Sequence, residues 1–235
     1  MLFLRSLLFY SGMTLAMLFW TIIITPLVLP LPYQKRYFVI SKWAYFVTWW
    51  LKTTCRLTYE IEGIENLPKS AAIILSKHQS AWETIVFQKI FPPQVWVLKR
   101  ELFWIPFFGW GLKSLNPIAI RRKNLRHSMQ EIIEQGKDRL SKGIWVVIFP
   151  EGTRVKIGEK KRYGIGGAML AEKSGYPVVP VAHNAGKFWP RSGFIKYPGI
   201  IKVVIGPVIE PKEKDYKEIN RLTEEWIEGT MVELV

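Results

Sequence analysis

The chain has 235 residues, 49% of them hydrophobic and 14% aromatic, with 11 Trp; this excludes a disordered or low-complexity chain and allows one sizeable domain with an appendage. A formal net charge of +14, from 33 Lys and Arg against 19 Asp and Glu, predicts a polyanion or an anionic surface as partner. The single cysteine, Cys55, excludes an intrachain disulfide, argues against a cysteine-rich metal site and fits a reducing compartment.

No residue from Ser6 to Gln34 is charged. An α-helix rises about 1.5 Å per residue, so about 20 such residues cross a hydrocarbon layer. A cleaved signal peptide has a shorter apolar core and a small-x-small cleavage site. Here Pro26, Pro30 and Pro32 follow a longer run, so the segment is expected to remain in a membrane. The next stretch, Lys35 to Arg56, is apolar and aromatic but carries Lys35, Arg36, Lys42, Lys52 and Arg56, and no acid. Cations snorkelling among Trp and Tyr suit the headgroup layer; an ordinary helix packed on the domain is the bland alternative. Residues 1–56 are thus expected to form a membrane-docking helix pair, with residues 57–235 a separate domain. Positive charge just after the first span places that domain on the cytoplasmic side.

From Leu57 onward the composition is that of a globular α/β domain. Short branched runs at 71–75, 95–98, 144–149, 177–182 and 201–206 predict strands. Helical patterns fill 82–91, 125–143, 165–175 and 216–234; in the second, Met129, Ile132, Ile133 and Leu140 recur near helical spacing before Gly143. Such alternation predicts an α/β fold with a mixed sheet flanked by helices.

Chemistry gathers after two of these strands. His78 follows the first, and Glu83 comes five residues later. Within one continuous helix those side chains would lie about 140 degrees apart. They can meet only if His78 precedes the helix and Glu83 falls in its first turns. Two jobs are then open for Glu83. It can be the capping-box partner of Ser80, or it can orient His78 so that the imidazole takes a proton from a substrate hydroxyl. After the strand at 144–149 come Pro150, Glu151, Gly152, Thr153 and Arg154. Arg154 suits a phosphate held through two parallel hydrogen bonds, while a charged turn with a Glu151–Arg154 pair is the plain reading. Ligands of α/β sheets bind beyond the strand ends, where both loops would lie.

Together, His78-x4-Glu83 and "FPEGTR" resemble the glycerolipid acyltransferases, specifically the bacterial 1-acylglycerol-3-phosphate acyltransferases. The resemblance spans most of the chain: "VLKRELFWIPFFGWGLK" (97–113), "NPIAIRR" (116–122), "PEGTR" (150–154) and "VVPVA" (178–182) follow in the family's order. The apolar N-terminal segments are similar to that family's membrane-docking pair. The chain departs from the family pattern in several places: Lys77 stands where the family has Asn, Glu83 where it has Asp, Ile120 where an acid usually precedes the substrate arginine, and Lys161 and Arg162 precede Tyr163 where a basic-Gly pair often follows the aromatic. The resemblance implies acyl transfer from a thioester, acyl-CoA or acyl carrier protein, to the sn-2 hydroxyl of a lysophosphatidate at the inner membrane. It implies His78 as base, Glu83 as its orienting acid, Arg121 and Arg154 on the phosphate and Lys99 assisting. Glu151, Gly152 and Thr153 would shape the acceptor pocket, with a backbone N–H near the His78 turn as oxyanion donor. It requires no metal or organic cofactor. Another lysolipid or amino-lipid acceptor, or a catalytically weak lipid-binding relative, stays open. Nucleic acid is not expected as a partner, because the chain carries no recognised binding motif for it. His127 reads as a solvated helix residue and His183 as a loop residue.

Overall fold

A computed structural model of the chain describes residues 1–121 and 125–234; Arg122, which ends the "NPIAIRR" block, lies outside the described residues. The apolar N-terminal run forms α1, Leu2–Phe19, which passes through a π-turn at Trp20–Ile24 into α2, Thr25–Val28. By length and composition, the span Leu2–Val28 with a mean hydropathy of 2.0 is long and apolar enough to cross a membrane. After a break at 29–32, α3, Tyr33–Cys55, runs back along α1. The Trp50 indole N–H donates to Leu8 O at 3.1 Å, and that of Trp20 to Val39 O at 3.4 Å. A Cβ on Gly12 would lie 2.2 Å from Trp50 Nε1, so the indole fits only because residue 12 has no side chain.

One stripe of α3, including Tyr37, Ile40, Ala44, Val47 and Leu51, is buried, while Phe38, Tyr45 and Trp49 are exposed. One face of α3 is thus that of an ordinary helix packed on the domain, and the other leaves its aromatics exposed. The buried stripe belongs to the same core as the sheet residues Ile73, Ile74, Leu75, Val146 and Val147. The other helix, α1, is fixed to the domain by the loop at 189–199. The Lys196 amide donates to Ser6 Oγ at 2.8 Å, and the buried Lys196 ammonium donates to Gly193 O and Phe194 O at 2.8 and 2.9 Å. That ammonium also lies over the rings of Tyr10 and Trp189, at 4.8 and 5.0 Å.

Seven strands form one sheet: β1, Leu57–Glu62; β2, Ile73–Ser76; β3, Gln94–Lys99; β4, Ile118–Ile120; β5, Trp145–Ile148; β6, Val178–His183; and β7, Gly199–Ile205. Their order is β1-β7-β6-β2-β5-β3-β4. The strands from β6 to β4 are mutually parallel, β7 runs antiparallel to β6, and β1 pairs parallel with β7. Covering helices are α4, Trp82–Ile90; α5, Phe108–Ser114; α6, Leu125–Ser141; α7, Gly166–Ser174; α8, Ala185–Phe188; and α9, Tyr216–Leu234. The expected mixed α/β sheet flanked by helices is present, with an apolar N-terminal helix.

Strands β2, β5 and β6 are buried at every residue, which explains why they read as unbroken apolar runs. The sequence reading missed both sheet edges. In β1 the buried positions are diluted by Glu60 and Glu62, and β4 has only three residues. Parallel alignment sets the C-terminal ends of β2, β5, β3 and β4 along one edge. That edge carries residues 77–80, 149–154, 99–100 and 121 in turn.

Candidate active site

The centre of this edge is β2, flanked by β5 and β6, and its chain leaves the sheet into the turn 77–81 that opens α4. His78 Nδ1 lies 2.8 Å from Glu83 Oε1. The same oxygen accepts the backbone N–H groups of Gln79 and Ser80, at 2.9 and 2.8 Å. In return, Ser80 Oγ accepts the Trp82 N–H at 3.0 Å. Glu83 therefore caps α4 and orients His78 at once.

Glu83 is buried. Burial pushes its carboxyl up, but His183, the His78 hydrogen bond and the Ser80 N–H outweigh this and hold it below the usual glutamate range. An ionised Glu83 accepts a proton-bearing Nδ1, which leaves His78 Nε2 as the free lone pair. The ring itself stacks on Phe149, the first residue beyond β5, with centroids 4.0 Å apart and planes at 15°.

Two contacts join the His78 turn to the 150–154 loop. Glu151 Oε2 accepts the His78 N–H at 2.8 Å, and the Val155 N–H donates to His78 O at 2.7 Å. Gly152 closes the turn after Phe149 with a φ of 67°, a left-handed conformation that a side chain would strain. Glu151 does not face the pocket. Its Oε1 meets the buried Lys77 ammonium at 2.7 Å, and the same ammonium lies 2.7 Å from Glu228 Oε1 on α9. Tyr163 donates its hydroxyl to Glu228 Oε1 at 2.9 Å. Burial raises Glu151 above the usual glutamate range against the pull of Lys77, with Glu228 adding to the rise. Burial, followed by the charges of Glu228 and Glu151, pushes the Tyr163 hydroxyl up as well.

His78 opens onto a cavity of about 530 Å³ between the domain and the N-terminal helices. Its polar lining includes His78, Lys99, Thr153 and Arg154, with Gly152 beside them; its apolar lining includes Met17 of α1, Trp20 of the π-turn, and Leu102, Phe108 and Leu112 of the domain. Such a cavity can hold a hydroxyl against the imidazole, an anion against Arg154 and Lys99, and a hydrocarbon chain beyond them. Of the residues singled out in the sequence, it gathers His78, Lys99, Gly152, Thr153 and Arg154, with Glu83 directly behind the imidazole. Arg121 is exposed one residue past β4, next to the strand that ends at Lys99, and does not line the cavity. Glu151 sits beneath the floor.

Backbone donors in the His78 turn are already engaged: residue 78 donates to Glu151, residues 79 and 80 to Glu83, and residue 82 to Ser80. None of these four is available to an oxyanion in this arrangement. Sequence reasoning also missed four supporting residues. Phe149 is visible only as the aromatic that ends an apolar strand. Tyr163 and Glu228 gave no motif, although Glu228 adjoins the buried stripe of Ile227 and Met231. His183 is no loop residue. It ends β6 fully buried, with Nε2 donating to Lys77 O at 2.9 Å and standing 4.0 Å from Glu83 Oε2. Burial holds it below the usual histidine range. His127 is exposed on α6, 3.6 Å from Glu131.

Residues 58–184 match the family model described as Acyltransferase. Over 237 aligned residues the chain is 42% identical to a 1-acyl-sn-glycerol-3-phosphate acyltransferase of Pseudomonas aeruginosa, covering 98% of this chain and 91% of that protein. It is 29% identical to a chloroplast 1-acyl-sn-glycerol-3-phosphate acyltransferase of Arabidopsis thaliana, over 78% of this chain and 52% of the relative. Among solved structures, it superposes on the 1-acyl-sn-glycerophosphate acyltransferase of Thermotoga maritima with a TM-score of 0.81 and 25% identity, covering 98% and 95% of the two chains.

Proposed function

The chain belongs to the acyltransferase family, and from that premise we propose that it moves an acyl group from a thioester to the sn-2 hydroxyl of 1-acylglycerol 3-phosphate, giving phosphatidate. The observation that carries this reading is the His78–Glu83 pair, 2.8 Å apart, at the mouth of a cavity with a cationic end and an apolar wall. The acceptor named for the relatives, a lysophosphatidate, has the two chemistries such a cavity suits.

His78 Nε2 takes the sn-2 hydroxyl proton as the oxygen attacks the thioester carbonyl. The imidazolium so formed is stabilised by Glu83. Collapse of the tetrahedral intermediate breaks the carbon–sulfur bond, and the imidazolium returns its proton to the departing thiolate. The donor is acyl-CoA or an acyl carrier protein. Lys99 and Arg154 hold the acceptor phosphate; Arg121 joins them by closing over it from the next strand end. Gly152 and Thr153 shape the wall beside the glycerol, and Glu151 steadies the His78 backbone from below. Residues 1–56 dock the enzyme on the inner membrane, where acceptor and product reside, with residues 57–235 as the catalytic domain on the cytoplasmic side. Several of the 33 Lys and Arg residues then face an anionic leaflet, each adding about 1 kcal/mol near its surface.

The test uses detergent-purified protein with 1-acylglycerol 3-phosphate and each thioester in turn, analysed for phosphatidate. His78→Ala is expected to lower kcat by roughly a thousandfold or more. Full ester formation without the imidazole would sink the mechanism. A phosphate-free acceptor that outperforms lysophosphatidate would sink the substrate assignment.

A further inference from the structure

The segment 99–113, "KRELFWIPFFGWGLK", is the most exposed apolar part of the catalytic half. Trp104, Ile105 and Trp110 are 83%, 44% and 54% exposed, and Pro106 is exposed between them. No core explains this, since large aromatics in water are costly unless something covers them. The backbone at the tip is also strained. Phe107 has a φ of 60°, and the Phe108 N–H closes a three-residue turn onto Pro106 O at 2.6 Å. Such γ-turns are rare, and a bulky residue at a positive φ persists only where the surroundings enforce it. The turn thrusts an apolar tip outward, with the Phe107 and Trp110 rings in contact at 5.1 Å.

Its position names the occupant. A Cβ on Gly111 of α5 would lie 3.4 Å from Thr21 Oγ1, so α5 sits against the π-turn of the first helix. Next to Thr21, the outward residues Phe19, Ile22, Ile23 and Leu27 are exposed. The tip thus extends the apolar side of the N-terminal helix across the cavity. Exposed Lys99 and Lys113 flank it, a placement that suits anionic headgroups above a buried tip.

We propose that the 104–110 turn is a second membrane wedge, inserted into the same leaflet as the N-terminal helix and holding the cavity mouth open to lipid from the opposite side. This rests on the docking of residues 1–56, and the test separates the two. On a Cys55→Ala background, a polarity-sensitive fluorophore is attached at Trp104→Cys, and in a second protein at Leu15→Cys on the outward side of α1. Both are transferred from detergent to phosphatidylethanolamine–phosphatidylglycerol vesicles whose acyl chains are brominated. The expected result is a blue shift and quenching at both sites. In parallel, Trp104→Ser/Trp110→Ser is expected to raise KM for vesicle-borne lysophosphatidate roughly tenfold through lost interfacial binding, while kcat and the use of a short-chain, monomeric acceptor stay as in the parent. Quenching at residue 15 but not at 104 overturns the wedge and leaves N-terminal docking standing; no quenching at either overturns both. A shift at 104 that needs no vesicles and grows with protein concentration assigns the patch to a second copy of the chain instead, which also overturns the wedge.

Discussion

At the scale of single residues, the most consequential atom is Glu83 Oε1, which receives two amide hydrogens and one imidazole hydrogen. The sequence left capping and orientation as rival duties for this side chain. They coexist because the donors approach one oxygen from different sides of the same turn. Glu83→Gln keeps the volume and an acceptor oxygen but removes the charge that steadies the imidazolium. Its kcat is expected to fall by about 10²–10⁴-fold, with little change in helix content by circular dichroism. Glu83→Asp withdraws the oxygen by one methylene from donors that are all at hydrogen-bond distance, so it too is expected to lower kcat in the same assay. His78, Glu83 and Arg154, proposed above as base, acid and anion site, stood out in the sequence because each stands in a short motif after an apolar strand. Lys77 was visible only as a departure from the family pattern, and its partners Glu151 and Glu228 were invisible because both lie far along the chain from it.

At the scale of elements, the buried strands and the amphipathic helices were readable from periodicity alone, whereas β1, β4 and α5 were not. The edge strand β1 mixes polar and apolar residues, β4 is only three residues long, and α5 is short and lies inside an aromatic run with no helical period to separate it. A third feature, the tie between α9 and the His78 turn, depends on tertiary packing and leaves no local trace. Lys77 stands between two carboxylates, so Lys77→Met would leave Glu151 and Glu228 facing each other with no cation between them. Removing one partner of a buried ion pair typically costs about 3–5 kcal/mol. Urea unfolding should register a loss of that order, and adding Glu228→Gln to the variant should restore part of it. A loss under about 1 kcal/mol would mean that the network is hydrated and of little structural weight.

At the scale of the whole molecule, stability couples to pH through the junction of α1 with the domain. Burial pushes Lys196 down to about 8, while an unfolded chain holds its proton up to about 10.5. Between those values the unfolded state carries the proton that the folded state has shed, so this site makes stability rise with pH over that window. Lys196→Met should remove the rise, leaving a flatter alkaline limb in denaturant titrations; an unchanged limb would show that the ammonium is not held as described. The general design, an apolar helix laid on an α/β core, was legible from the uncharged N-terminal run. The way the two halves share one core was not, because the α3 stripe that joins them is interrupted by the cations and aromatics of its other face. One last consequence follows from the ammonium that bridges to Glu228. Glu228 lies on α9, far along the chain from Lys77, so a nascent chain that has not yet reached α9 lacks the carboxylate that completes the support beneath its histidine. If residues 1–56 dock as proposed, attachment is expected to precede competence, and a chain truncated ahead of α9 is expected to bind vesicles yet form no phosphatidate.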